Sequence, residues 1–261
     1  MARYQIIIAY DGTEFEGFQR QAKARTVQGA VEVALRKIGW QGQSILAAGR
    51  TDTGVHAEGQ VVACDLEWGH PVQELQAALN ANLPSDVAVG RVRCVRADFH
   101  PRYDALTRRY RYRIFCAEGR EPLRERYAWR IWPGVTLEAL QESARCLPGT
   151  HDFAAFGTPP RTGGSTIRNV YQATWRQSDQ DLIFEITANA FLYRMVRRIV
   201  YVLVAVAQGR LDAARIVESL AGNKLETVQG LAPPNGLTLV EVTYPAEIVE
   251  ADPAPNADQR Q

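Results

Sequence analysis

Short apolar runs rich in β-branched residues follow one another in this chain across connections too short to hold a helix. Residues 170–176 and 182–188 are separated only by the polar segment 177–181. Parallel neighbours need a crossover of a dozen residues or more, so strands joined this way pair antiparallel. Similar runs cover residues 4–10, 44–48, 60–66, 87–95, 107–115 and 237–244. Between them, apolar residues recur at helical spacing. Val27, Ala30, Val31, Ala34, Leu35 and Ile38 predict a helix to about Lys37, with Thr26 at its start. Further helices are predicted over 72–83, stopped by Pro84, over 137–146, over about 191–208, and over 212–220, with Asp212 as cap and Gly222 beyond the end.

This grammar predicts an α+β fold, with helices packed on mostly antiparallel mixed sheets, and not a doubly wound parallel one. Strand and helix order is similar in the two halves, which suggests an old duplication. We expect two similar lobes, 1–104 and 105–247, with an active-site cleft between them. From residue 248 to 261 the chain is acidic and proline-rich with little to bury, and disorder is expected there.

A length of 261 residues with 46% hydrophobic content supports a substantial core. The formal charge of +1 neither requires nor excludes a polyanionic partner, but the kind of base matters. Only Lys23, Lys37 and Lys224 are lysines, so 27 of the 30 basic residues are arginine, whose planar fork suits phosphate and stacks on bases. Cys64, Cys94, Cys116 and Cys146 stand far apart, with no zinc spacing, and are expected as free thiols. No secretory leader is visible, and the most apolar stretch, 199–207, is about half the roughly 20 residues a membrane span needs. A cytoplasmic protein with no membrane segment is expected.

Residues 48–57 read Ala-Gly-Arg-Thr-Asp-Thr-Gly-Val-His-Ala. Asp52 stands there between small, turn-forming and cationic neighbours, just after an apolar run. Gly49 and Gly54 permit sharp bends on either side, and a guanidinium such as that of Arg50 favours an ionised carboxylate, which suits a nucleophile or base. In Arg108-Arg109-Tyr110-Arg111-Tyr112-Arg113, strand alternation sets Tyr110 and Tyr112 on one face and Arg109, Arg111 and Arg113 on the other. Polar, basic loops at 99–103 and 159–168 suit phosphate, and neither has the ending of a nucleotide-binding P-loop.

The segment Gly49-Arg50-Thr51-Asp52-Thr53-Gly54-Val55-His56-Ala57 resembles the catalytic motif of the TruA family of tRNA pseudouridine synthases. Arg108 to Tyr112, Asn189 to Arg197 and Ala232 to Leu237 match the family's later motifs in order, so the resemblance spans nearly the whole chain. It implies an isomerase of tRNA uridine, acting at nucleotides 38 to 40 of the anticodon arm as a homodimer, with no metal and no organic cofactor. It further implies Asp52 as the catalytic carboxylate, Arg197 as the cation that pairs with it, and Tyr110 as the ring against the target uracil. Arg50, Arg109, His56 and Leu237 join them as substrate-side residues, His56 supporting the loop and Leu237 walling the pocket. Asn235 departs from the smaller residue common in the family. Arg194 and Arg198 are read as surface residues or phosphate contacts.

Two other readings compete. Asp52-Thr53-Gly54 is also the aspartic protease signature, but no second copy exists in the chain, and Arg50 and Thr51 favour full ionisation rather than a shared proton. A non-catalytic RNA-binding protein would explain the arginines and tyrosines. It leaves an acid in a basic groove without a purpose.

Overall fold

The computed structural model describes residues 1–222 and 229–249, which cluster into two units. The first comprises Met1–Leu106 together with the chain from Glu241 onward, and the second is Thr107–Val240.

In the first unit, β1 (Ala2–Tyr10) lies between β3 (His56–Leu66) and β4 (Val87–Val95), antiparallel to both, and the two-residue β2 (Leu46–Ala47) pairs with β3. Tyr4, Ile6, Ile8 and Tyr10, alternate residues of β1, are all buried. Helix α1 (Val27–Lys37) forms where the spacing places it. The Thr26 hydroxyl accepts from Gly29 N at 3.3 Å, and Val27, Val31, Ala34 and Leu35 make its buried stripe. Burying each of the larger of these contributes about 1.5–3 kcal/mol. Helix α2 (Val72–Asn82) has buried Leu75 and Leu79 and packs against β4. Asn80 occupies both polar groups of Val89, accepting from its N at 2.7 Å and donating to its O at 3.0 Å, which covers part of an exposed sheet edge.

In the second unit, β5 (Thr107–Cys116), β9 (Asp181–Ala188), β8 (Ile167–Ser178) and β7 (Gly149–Asp152) follow one another antiparallel, with β6 (Trp129–Ile131) parallel on β5. Helices α3 (Leu137–Ala144) and α4 (Met195–Ala207) pack on each other, and α3 also packs on β8. Leu140, Ala144, Ile199 and Leu203 from these helices are buried, as are Tyr112, Ile114, Trp175, Phe184 and Ile186 from the sheet. Helix α5 (Ala214–Leu220) follows, and Asp212 Oδ1 accepts from Ala214 N at 2.9 Å. Gly222 sits at φ +75°, the left-handed conformation common just past a helix end. The last strand, β10 (Leu237–Thr243), starts in this unit and carries the chain back to the first.

The α+β class with mostly antiparallel strands is as expected; several boundaries are not. The chain rejoins the first unit at Glu241, not beyond residue 247. The reason is local: Leu106 N donates to Thr243 O at 2.9 Å, Tyr244 packs edge-on to Phe99 at 5.2 Å, and its hydroxyl donates to Pro101 O at 2.7 Å. The expected tail is also ordered at its start. Ile248 lies in a one-turn helix, α6 (Ala246–Val249), and is 3% exposed; residues 250–261 fall outside the described residues. Among the described residues, no helix is long and apolar enough to cross a membrane.

Candidate active site

The loop carrying Asp52 is held from behind by residues 11–18. Phe18 N donates to Thr51 O at 3.1 Å, Gly54 N to Phe15 O at 3.3 Å, and Val55 N closes a turn onto Asp52 O at 3.1 Å. Carbonyls of the same supporting segment satisfy the open N–H groups at the start of α1: Val27 N donates to Gly17 O at 3.3 Å and Gln28 N to Phe18 O at 2.9 Å. A rigid helix start is thereby coupled through two residues to the acid. Gly17 has φ +88°, and a β-carbon there would stand 3.0 Å from Thr51 O. At Gly12 a β-carbon would fall 2.1 Å from Val55 O, so the two segments meet backbone to backbone.

Side chains complete the support. The buried Tyr10 hydroxyl lies 2.8 Å from Thr51 Oγ1, and burial pushes this phenol up to about 12 despite the hydrogen bond to Thr51. Gln60, fully buried, donates to Gly49 O at 3.1 Å, and Ala48 N donates to Val61 O at 2.9 Å. Asp52 itself is neither sealed nor fully exposed. Arg50 is exposed and makes no ion pair among the described residues, so it gives Asp52 no direct salt bridge of the kind its sequence position suggests. Gly54 adopts φ +76°, whereas Gly49 is not in the left-handed region.

His56 opens β3 and is 6% exposed. Its Nδ1 accepts from Gly12 N at 3.0 Å, which places the proton of a neutral ring on Nε2. Asp11 Oδ1 lies 3.2 Å from the same nitrogen. Through Gly12 the ring braces the segment beneath the Asp52 loop.

In the second unit the two β5 tyrosines differ. Tyr112 is fully buried, donates to Pro233 O at 2.7 Å, and has its phenol raised well above the usual range by that burial. Tyr110 is half-buried, and Phe191 meets it edge-on at 5.0 Å. One tyrosine builds the core, and the other is accessible. On the opposite face, arginines meet carboxylates. Arg109 lies 3.9 Å and Arg176 3.6 Å from Glu185 Oε1. Asp181 accepts from Nε of both Arg113 and Arg124, at 3.0 Å each. Burial alone would raise the Asp181 carboxyl, but these two guanidinium groups outweigh it and hold it below the ordinary carboxylate range.

The helix predicted from residue 191 begins at Met195, because Arg194 takes φ +63° and breaks the helical path. Residues before it are tied elsewhere: Tyr193 N donates to Thr158 O at 3.0 Å, and Asn189 Oδ1 accepts from Asn169 N and Ala190 N. Arg197, in the first turn of α4, is 9% exposed and donates Nε–H to the Ala232 carbonyl at 2.8 Å, while Ala232 N returns a bond to Arg197 O at 3.2 Å. This fixes one edge of the guanidinium and anchors the Pro233 motif. Next along that motif, a β-carbon on Gly236 would come 2.7 Å from the Tyr112 ring. Asn235 donates to the carbonyls of Glu125 and Ala128, so the departure from the family's smaller residue ties down the 117–128 loop. Leu237, 6% exposed, begins β10.

The spacing of motifs left the segment 11–18 unassigned beyond its Asp-Gly turn. Phe15 and Phe18, apolar residues in an otherwise polar stretch, were the available signal; they are 1% and 2% exposed.

The chain is similar to known proteins along most of its length. The family described as tRNA pseudouridine synthase matches residues 6–104 and 144–245. A tRNA pseudouridine synthase A of Halalkalibacterium halodurans is 41% identical over 240 residues, covering 91% of this chain and 90% of the relative. That of Limosilactobacillus fermentum is 38% identical over 249 residues, covering 94% and 96%, and that of Chloroflexus aurantiacus 39% over 255 residues, covering 95% and 91%.

Proposed function

The chain belongs to the tRNA pseudouridine synthase family, and from that premise we propose that it isomerises uridine to pseudouridine at nucleotides 38 to 40 of the anticodon arm, with Asp52 as the reacting carboxylate. The enzyme is an isomerase acting on tRNA. Its reaction breaks the bond between uracil N1 and the ribose, turns the base, and rejoins it through C5, which loses its hydrogen. No net redox change occurs, and the chemistry calls for neither a metal nor an organic cofactor.

The observation that carries the role of Asp52 is the support of its loop. An acid left partly accessible while the backbone on both sides is fixed to a segment anchored by the buried Phe15 and Phe18 is preorganised to react rather than to fill a surface turn. Arg197 is the cation we assign as the partner of Asp52. Its support is a buried guanidinium, held at Nε, on a motif shared with the family. Tyr110 is assigned to the target uracil because it is the accessible member of its pair and its ring orientation is set by Phe191. Leu237 walls the pocket, Arg50 and Arg109 meet the RNA backbone, and His56 acts through the loop it braces. A homodimer working with its tRNA in the cytoplasm completes the reading.

The test is to incubate the protein with tRNA carrying tritium at uracil C5 and to count released tritium. Release from substrates with uridine at nucleotides 38 to 40, and none when those uridines are replaced by cytidine, is expected. Release that is unaffected by the replacement would refute the assigned position.

A further inference from the structure

Most arginines of the β5 face are engaged by Asp181 or Glu185, but Arg194 and Arg198 are not: neither makes an ion pair among the described residues. They lie beside one another at the start of α4, with the Arg194 guanidinium 4.8 Å over one face of the ring of Tyr193, a residue that is 52% exposed. Arg198 is half-buried and close enough to Arg194 that burial, and then the neighbouring charge, lower its pKa from the usual arginine range. Two uncompensated cations held together beside an open aromatic ring cost the isolated protein stability. A ligand that brings negative charge and a flat face relieves that cost.

The backbone at Tyr193 is held in place. Tyr193 is bridged to Thr158, and Gly157 makes the approach possible, since a β-carbon there would stand 2.6 Å from Leu192 Cβ and 2.8 Å from Tyr193 O. Arg194 keeps φ +63°, a left-handed conformation uncommon for a residue with a side chain. Two residues before Tyr193 stands Phe191, which meets Tyr110 edge-on. An extended chain of two residues spans at most about 7 Å, so the backbone that carries Tyr193 starts within that reach of Phe191, the residue packed on the ring assigned to uracil.

We propose that Tyr193, Arg194 and Arg198 form a platform for the single-stranded nucleotide next to the target uridine, its base stacking on the open face of Tyr193 and its flanking phosphates meeting the two guanidinium groups. This rests on the anticodon-arm reading for which nucleotide is held, but the binding chemistry stands apart from it. Stacking on an exposed ring tolerates any base, so the platform gives affinity and register without sequence selection.

The test uses the full-length protein and an unmodified tRNA transcript. In tritium-release kinetics, Tyr193→Ala is expected to raise KM about 5- to 150-fold with kcat unchanged, the range found when a base loses its aromatic partner. Tyr193→Phe keeps the ring and is expected to match wild type. In filter binding across a salt series, the double variant Arg194→Gln/Arg198→Gln is expected to lower the slope of log K against log salt by about 1.4, or roughly 0.7 for each phosphate contact to a single strand. Circular dichroism confirms that each variant is folded. Wild-type KM in Tyr193→Ala, equal damage from Phe and Ala, or an unchanged salt slope in the double variant would each overturn the platform. The binding arm needs no turnover. A wild-type protein that released no tritium would therefore defeat the catalytic reading while the salt slope still judged this one.

Discussion

Replacing Gly12 by alanine tests whether the segment 11–18 sets the position of Asp52. The new methyl would lie 2.1 Å from Val55 O, against a floor of 3.0 Å for real β-carbon contacts, so the two backbones must separate by about 0.9 Å. Val55 N is bonded to Asp52 O, and His56, the next residue, accepts from Gly12 N, so the strain falls on the stretch that holds the acid. A misplacement of about 1 Å costs on the order of 100-fold in rate, or about 2.7 kcal/mol of transition-state stabilisation. The assay is single-turnover tritium release with protein in excess, which isolates chemistry from product release. Gly69→Ala is the control, because a methyl added there would meet nothing within 4 Å. A rate within twofold of wild type for Gly12→Ala, in a folded protein, would refute the claim that this backbone contact positions the carboxylate.

Other outcomes follow from single contacts. Tyr10→Phe removes the buried bond to Thr51 and is expected to cost about 1–2 kcal/mol in urea unfolding. Because the Tyr10 phenol is raised to about 12 while an unfolded tyrosine ionises near 10, its contribution is intact below about pH 10 and is lost as pH rises toward 12. The stability gap between wild type and Tyr10→Phe should shrink over that window, and a constant gap would contradict the assignment. Asp181→Asn strands Arg113 and Arg124, and is expected to cost about 1–3 kcal/mol at pH 7, between the values for buried and exposed pairs. The Asp181 carboxyl is depressed, so its contribution is complete above about pH 4 and fades as the acid is protonated at lower pH. Thermal melts from pH 7 down to pH 2 should show the two proteins converging.

Strand and helix positions were legible where periodicity was strong. The stripe Val27, Val31, Ala34, Leu35 and the alternation Tyr4, Ile6, Ile8, Tyr10 each bury the predicted face. Boundaries failed where one backbone angle or one distant partner decides. Nothing in the composition of Tyr193-Arg194-Met195 announces a left-handed Arg194, and β6 is three residues long with too little pattern to register. The return of the chain to the first unit depends on Tyr244 meeting Phe99, far away in sequence. Within the candidate site, residue types were readable from the motif, but their division of labour was not. Alternation set Tyr110 and Tyr112 on one face, yet only packing distinguishes the accessible ring from the one capped by Pro233. Arg50 was expected to support Asp52 by proximity in sequence, and the side chain instead stands exposed without an ion pair among the described residues.

The central claim is that Asp52 reacts, and Asp52→Asn measures it most directly, since the amide keeps the size and shape of the side chain while removing its charge and turning one acceptor oxygen into a donor. Tritium release from the labelled tRNA should fall on the order of 10⁴-fold or more, with tRNA affinity unchanged or slightly improved as a negative charge leaves an RNA site. A variant that releases tritium at the wild-type rate would contradict the account.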